Sequence, residues 1–171
     1  MNAHHTELLP EDFAPDSRVW IYQSPRLFFL SEALAIEEML ANFVRDWKSH
    51  GVPVKGYANL FYGQFVVLMA DETATGVSGC STDSSVRLIK EIEQRFGISL
   101  FDRLMLAFRI GDKVQMVPVS QVPYALENGF IGPDTLYFNN TAQTKAELES
   151  RWLIPLKDSW LAPRYLKSVP K

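Results

Sequence analysis

The apolar run from Phe65 to Ala70 is the feature of this 171-residue sequence that most restricts its fold. Six consecutive apolar residues without alternation are typical of a strand in the middle of a sheet with both faces covered. The stretch Val54–Phe61 has the composition of a second strand, and Tyr62-Gly63 is a turn that joins the two. The sequence therefore predicts an antiparallel hairpin at the centre of a covered sheet.

Two stretches with helical periodicity stand on either side of this hairpin. Apolar spacing predicts one helix with Ser31 as its N-cap and Gly51 after its end, and another from about Ser84 to Phe96. With strands at 18–22 and 104–110, the order becomes strand, helix, strand, strand, helix, strand. This is the ferredoxin-like order, in which both helices cover one face of an antiparallel sheet.

The remaining segments extend this core at both ends. A second hairpin strand at 113–117, short helices, a brief strand at 136–138 and a helix after Thr144 follow, and residues 155–171 form a proline-rich strap. The first sixteen residues are polar and interrupted by prolines. We therefore expect a flexible N-terminal arm at 1–16 and a single α+β domain at 17–171.

Composition excludes several classes of function. There are 17 basic and 20 acidic residues, a net charge of −3, so the positive charge that nucleic acid binding requires is missing. No apolar run reaches membrane-spanning length, which predicts no membrane insertion. One cysteine cannot form an internal disulfide, which favours a cytoplasmic protein. With three histidines and that cysteine, we expect neither a metal nor a cofactor.

The stretch 75–87 follows the apolar run and leads into the second helix. Backbone N–H groups at such a junction can bind an anion or a polar ligand, and Arg87 adds a counter-charge one turn later. Alternatively, Asp83 or Ser84 caps the helix, and Asp83 would then repel an anion. A second polar pair follows the brief strand at 136–138. The residues predicted to bind a ligand are Ser78, Gly79, Cys80, Ser81, Thr82, Asp83, Ser84, Arg87, Asn139 and Asn140.

Two other functions remain open at this point. Cys80 would be a nucleophile if the helix N-terminus lowered its pKa, but Asp83 opposes ionisation and no histidine lies in a core element. Asp71 and Asp83 are the alternative acid–base pair. The chain could also be a homodimeric accessory subunit that pairs through an open sheet face or edge. We favour a non-catalytic cytoplasmic domain that binds a small polar ligand or a protein partner through Gly76–Arg87.

Five short stretches carry a family likeness that spans roughly residues 17–160. They are Ser17–Gln23, 78–87, Phe101–Arg103, Phe138–Asn140 and 155–160. Together they resemble a small bacterial family whose members bear the name ABC transporter ATPase, and the resemblance implies no established activity. The chain contains no Gly-Lys dipeptide, so the phosphate-binding lysine of G-x-x-x-x-G-K-[ST] is missing. The sequence therefore predicts that this chain does not hydrolyse ATP.

Overall fold

The computed structural model describes residues 4–73 and 79–166 and groups the chain into two compact units. Unit 1 is Met1–Phe101 with Ala142–Glu149, and unit 2 is Asp102–Thr141 with Ser150–Lys171. Both contain helices and antiparallel strands, which confirms the predicted α+β class. Each unit has a hydrophobic core of its own. The single domain at 17–171 stays a prediction.

Up to Phe101, unit 1 contains the predicted strands and helices together with two short strands, at 48–49 and 52–53, that the sequence did not predict. They are β1 (Arg18–Gln23), α1 (Leu30–Asp46), β2 (Lys48–Ser49), β3 (Val52–Pro53), β4 (Lys55–Phe61), β5 (Phe65–Asp71) and α2 (Gly79–Phe96). The strand order β1-β5-β4 is antiparallel throughout, and α1 lies between β1 and β4 in the chain. Because β5 is inserted between β1 and β4, this part of unit 1 is a split β-α-β arrangement.

The central strand β5 is buried along its whole length, as its apolar run predicted. On one face, Val66 and Leu68 belong to the main core together with Ile36 of α1 and Ile89 of α2. Both helices therefore cover the same face of the sheet. Side chains of a strand alternate between the two faces of its sheet. A strand that is apolar along its whole length is therefore expected to be covered on both faces.

The opposite face is covered in part by residues 4–16, which are packed and do not form the loose arm that the sequence suggested. His5, Leu9 and Phe13 are buried. The Tyr57 hydroxyl donates to the carbonyl of Leu8 at 2.7 Å, and His5 Nε2 donates to the carbonyl of Leu148 at 2.9 Å. Sequence reasoning missed this segment because its few apolar residues have no helical or strand periodicity.

The fourth strand of the ferredoxin-like prediction does not join this sheet. Residues 143–145 cover the outer edge of β1 instead, where Val19 N–H donates to Gln143 O at 3.0 Å and Lys145 N–H donates to Ser17 O at 2.9 Å. The strand expected there, at 104–110, pairs within a second sheet. The ferredoxin-like arrangement is therefore not confirmed, because a different segment satisfies the hydrogen bonds at this edge.

Unit 2 is built around a four-stranded antiparallel sheet in the order β7-β6-β8-β9. The elements after α2 are β6 (Met105–Ile110), β7 (Lys113–Pro118), α3 (Val122–Glu127), β8 (Leu136–Phe138), α4 (Lys145–Arg151), β9 (Leu153–Pro155) and α5 (Ala162–Tyr165). The predicted hairpin is confirmed as β6 and β7. The tail predicted as an extended strap begins at the last residue of β9, contains α5, and buries Leu156 and Leu161. No helix among the described residues is long and apolar enough to cross a membrane.

Candidate functional site

The described part of the predicted site at 75–87 lies at the start of α2. Residues 74–78 and the side chains of 79–81 lie outside the described part of the chain, so the predictions for Ser78, Gly79, Cys80 and Ser81 stay predictions. The helix begins at Gly79 and not near Ser84. Asp83 and Ser84 therefore lie inside the helix, and neither of them is its N-cap. The expectation of a cap at these positions was wrong because the helix starts one turn earlier.

The described residues of this stretch divide between the core and the surface. Ser85 is fully buried, and its hydroxyl donates to the carbonyl of Thr82 at 2.6 Å. Burial raises the pKa of Tyr22, and a hydrogen bond with Ser85 opposes that rise. Asp83 and Arg87 are exposed, and Arg87 Nη2 donates to Ser84 Oγ at 3.0 Å. Two of the predicted ligand-binding residues, Ser84 and Arg87, lie at a concave surface in the described part of α2.

That surface is a groove of about 560 Å³ between α1 and α2, called the α1–α2 groove below. The two helices present its side chains at helical spacing, so one face of each helix lines it. The apolar lining residues are Met39, Phe43, Trp47 and Leu88, and the polar ones are Asn42, Asp46, Lys48, Ser84, Arg87 and Glu91. The α1 residues of the groove were not among the predicted site residues, because the apolar spacing of this helix indicates a buried face and does not mark the part of that face that borders a groove.

Aromatic packing holds the α1 side of the groove in place. Trp47 is buried, and its ring centroid lies 4.9 Å from that of Phe43 and 6.1 Å from that of Trp20. A Cβ atom at Gly56 would lie only 2.5 Å from the Trp47 ring, so the strand approaches the indole as closely as glycine alone allows. The Trp47 wall of the groove is therefore rigid.

Charges of both signs surround the groove. Asp46 and Glu91 are acidic, Lys48 and Arg87 are basic, and all four are exposed. The pKa of Asp46 is lowered, first by its hydrogen bond with Arg45 and further by the positive charges of Arg45 and Lys48. The groove thus combines an apolar lining with both positive and negative groups at its surface.

A second concavity in unit 1, the arm cavity, has a volume of about 510 Å³. It is lined by Glu11, Asp12, Phe13, Ala14, Pro53, Lys55, Asp71 and Thr73. Here the polar groups bind the N-terminal segment: Lys55 Nζ donates to the carbonyl of Asp12 and lies 3.6 Å from a carboxylate oxygen of Asp71. The arm cavity is therefore a place where the segment 11–14 is attached to the sheet.

Asp71, one of the candidate acid–base residues, already accepts hydrogen bonds at both oxygens. Thr73 donates its hydroxyl at 2.6 Å and its N–H at 2.9 Å to Oδ1, and Ala14 N–H donates to Oδ2 at 3.0 Å. These hydrogen bonds, with that of the Thr73 hydroxyl the strongest influence, hold the pKa of Asp71 far below its usual range. A carboxylate stabilised in this way is a weak base and is not protonated near neutral pH.

Asn139 and Asn140, the other predicted ligand-binding residues, belong to unit 2. Asn139 is buried, donates from Nδ2 to Arg151 O at 3.2 Å and accepts from the Thr141 hydroxyl at 2.6 Å. Asn140 accepts from Trp152 Nε1 at 2.9 Å. These amides connect the end of β8 to the start of β9. The predicted binding residues are thus divided between the two units.

Among the described residues, no group of three or more His, Cys, Asp or Glu side chains is arranged to hold a metal ion. Comparison of the chain with family models, with curated proteins and with solved structures finds no match. The candidate site therefore rests on the geometry of unit 1.

Proposed function

We propose that this chain is a non-catalytic cytoplasmic binding domain whose ligand lies in the α1–α2 groove. The observation that carries the proposal is the composition of that groove. Apolar side chains from both helices line it, and the predicted residues Ser84 and Arg87 stand beside acidic and basic groups. Concave sites with an apolar lining and a few convergent polar groups are the usual form of small-molecule and peptide sites.

The ligand that fits this lining has an apolar part and charged groups. Met39, Phe43 and Leu88 offer contact area to the apolar part. Arg87 supplies bidentate hydrogen bonds to a carboxylate or phosphate, while Glu91 favours an ammonium group, and Asp46 is already paired with Arg45. We therefore infer that free amino acids and short peptides, which carry charges of both signs, fit better than nucleotides, because the lining has two acidic and two basic residues and does not match a ligand with several negative charges only.

A catalytic role for the carboxylates is less well supported. Asp71 is occupied by hydrogen bonds from residues 14 and 73, and Asp83 is an exposed residue on α2.

We also propose that the chain belongs to the family named ABC transporter ATPase, which it resembles. This assignment concerns the family only and implies no activity. We propose binding without ATP hydrolysis, since the chain lacks the Gly-Lys dipeptide of a phosphate-binding loop.

A thermal-shift screen tests the proposal. The probes are the common amino acids, a set of dipeptides, nucleotides and phosphorylated sugars, each added to the purified full chain. A probe at about 100 times its Kd adds roughly 2.7 kcal/mol to the free energy of unfolding, a shift of several degrees. Arg87→Ala should abolish the shift, and Lys90→Ala, an exposed residue of the same helix outside the groove, should preserve it.

The outcomes separate the candidate functions. A hit that persists in Arg87→Ala and in Phe43→Ala overturns the groove as the binding site. A hit that is consumed by wild type but not by Cys80→Ala overturns the non-catalytic role and supports the thiol enzyme. If no probe shifts the melting temperature, small-molecule binding in the groove is wrong.

A further inference from the structure

The strand β7 lies at one end of the sheet of unit 2. It pairs with β6 on one side, and no other strand in the described part of the chain pairs with it. β9, at the other end of the sheet, has three residues, whereas β7 has six. An edge strand presents N–H and C=O groups that can pair with a strand of another chain. β7 therefore offers the longer edge of unit 2 for such pairing.

The register of the hairpin shows which backbone groups of β7 point away from β6. Lys113 closes the two-residue turn and forms a hydrogen-bonded pair with β6, and such pairs recur at every second residue. Val119, in the same phase, donates its N–H to the carbonyl of Leu104 at 2.8 Å. The N–H and C=O groups of Val114 and Met116 therefore point outward. We call these groups the β7 edge.

The β7 edge is bonded less completely than the other edges. The carbonyl of Met116 accepts a hydrogen bond of 3.3 Å from Nε2 of Gln115, an exposed side chain that an approaching strand can displace. No other hydrogen bond to the β7 edge is present within the described residues. By contrast, residues 143–145 cover the edge of β1, and the Asn59 side chain accepts from the N–H of Leu60 in β4 at 2.8 Å.

Two copies of the β7 edge are complementary to each other. If they pair antiparallel around a two-fold axis at Gln115, Val114 of one copy lies opposite Met116 of the other. Each outward N–H then meets an outward C=O of the other copy. A shift of the axis to Met116 would place Pro118, which has no N–H, opposite Val114. A shift in the other direction would place the turn at 111–112 opposite Met116.

The side chains also fit this register. Val114 of each copy contacts Met116 of the other, and both side chains are apolar and only partly buried within one chain. Lys113 is the charged residue of β7, and its two copies lie four positions apart along the paired strands, about 14 Å. Their repulsion is largely screened at that distance. Asp112 in the turn lies further from the axis, and Arg109 belongs to β6, behind the edge.

A second copy fits this edge better than a flexible peptide does. The turn and Pro118 limit the pairing to the few residues between them, so a partner gains few hydrogen bonds. A peptide would lose the conformational entropy of each residue that it orders on the edge. The β7 strand of a second copy is already held in the extended conformation by β6.

We propose that this chain forms a homodimer in which two β7 strands pair antiparallel around Gln115 and join the two unit 2 sheets. The contact is much smaller than the roughly 800 Å² per partner of a stable interface, so the dimer is weak. The proposal is independent of the ligand proposed above, because no residue of β7 lines the α1–α2 groove.

Sedimentation equilibrium of the full chain, from about 1 to about 500 μM, tests this interface. We expect the average mass to rise from that of one chain towards that of two. Met116→Pro should raise the Kd at least about tenfold, because it removes an outward N–H from each copy. The substitution breaks no hydrogen bond to β6, and proline is accepted at such positions of an edge strand, so the variant should stay folded.

A charge exchange at the axis tests the register without proline. Gln115→Lys and Gln115→Glu each place two like charges opposite each other, so each should raise the Kd at least about threefold. An equimolar mixture of the two variants should dimerise more tightly than either alone, because unlike charges then meet across the axis. Gln94→Lys and Gln94→Glu, at an exposed position of α2, are the matched controls and should keep the Kd of wild type.

The proposal fails if wild type has the mass of one chain at every concentration, and the β7 edge would then be free for a strand of another protein. It also fails if wild type dimerises but the mixture of Gln115 variants is no tighter than either variant alone. In the second case the two copies meet at another surface.

Discussion

The two concavities of unit 1 have similar volumes, about 510 Å³ for the arm cavity and about 560 Å³ for the α1–α2 groove. In the arm cavity, Asp71 and Lys55 are bound to the backbone of residues 12–14. In the groove, charged side chains of both signs lie at exposed positions above an apolar lining, and two of them bind neighbouring side chains and not the backbone of another segment: Asp46 is paired with Arg45, and Arg87 donates to Ser84. Cavity volume therefore does not distinguish a structural contact from a binding site. What the polar groups already bind is the more informative property.

Replacing Asp71 is the strongest test of this distinction. Asp71→Ala removes the acceptor of three hydrogen bonds and leaves the N–H groups of Ala14 and Thr73 without it. We expect a loss of about 2–4 kcal/mol in the free energy of unfolding, measured by urea denaturation. Asp12→Ala is the control, because Asp12 lines the same cavity with a side chain that is 78% exposed. Equal, small losses in both variants would contradict the structural role of Asp71.

Acid should weaken the same contact. Hydrogen bonding lowers the pKa of Asp71 in the folded chain relative to the unfolded one. Its contribution to stability is therefore complete above the unfolded pKa of about 3.9 and declines as the pH falls below that value. Between about pH 5 and pH 2, the wild type should lose more stability than Asp71→Ala. Parallel stability curves for the two proteins would show that Asp71 titrates normally.

The buried side-chain amide of Asn139 in unit 2 should stabilise the fold, as Asp71 does in the arm cavity, and should not bind the ligand. Asn139→Ala removes one hydrogen bond to Arg151 O and leaves the Thr141 hydroxyl without its acceptor. We expect a loss of about 1–3 kcal/mol in thermal unfolding, with no change in the ligand shift. Asn42→Ala, at an exposed position of the groove, should cost less than about 0.5 kcal/mol. A stable Asn139→Ala that no longer responds to a ligand would restore the predicted binding role of Asn139.

Arg87→Ala should have the smallest effect on stability. Its hydrogen bond to Ser84 is exposed, so the free energy of unfolding should change by no more than about 0.5 kcal/mol. Calorimetric titration with a probe that shifts the wild type should nevertheless detect a large loss of affinity. A variant that is destabilised but binds the probe with unchanged affinity would show that Arg87 has a structural role, as Asp71 has in the arm cavity, and does not bind the ligand.

Much of the secondary structure could be predicted from local patterns. The apolar run at Phe65–Ala70 is the buried strand β5, and the hairpin strands at 104–110 and 113–117 are β6 and β7. The helix predicted between Ser31 and Gly51 is α1, but its N-cap is Phe29 and it ends at Asp46, so both predicted end residues were wrong. The elements themselves were predictable because burial of one face leaves a helical period and burial of both faces leaves a continuous apolar run. The same reasoning identified the stretch that contains Ser84 and Arg87, two residues of the groove.

The start of α2 and the position of the arm were not predictable in this way. Asp83 and Ser84 are good N-cap residues, yet the helix begins at Gly79, before them. His5 looks like a residue of a polar terminus, yet its ring is buried between the Tyr62 hydroxyl and the carbonyl of Leu148. For His5 the deciding contacts join distant parts of the chain, and such contacts leave no local pattern.

The sequence by itself determined the longer strands and helices and the apolar residues that line their buried faces. Only the tertiary structure decided that residues 143–145 cover the edge of β1 and that β6 pairs with β8 in another sheet. It also decided that the carboxylate of Asp71 is used by the backbone of Ala14. The physical reason is that the edge of a strand offers the same N–H and C=O groups to any segment. The choice of partner therefore depends on the packing of the whole unit and not on the strand's own residues.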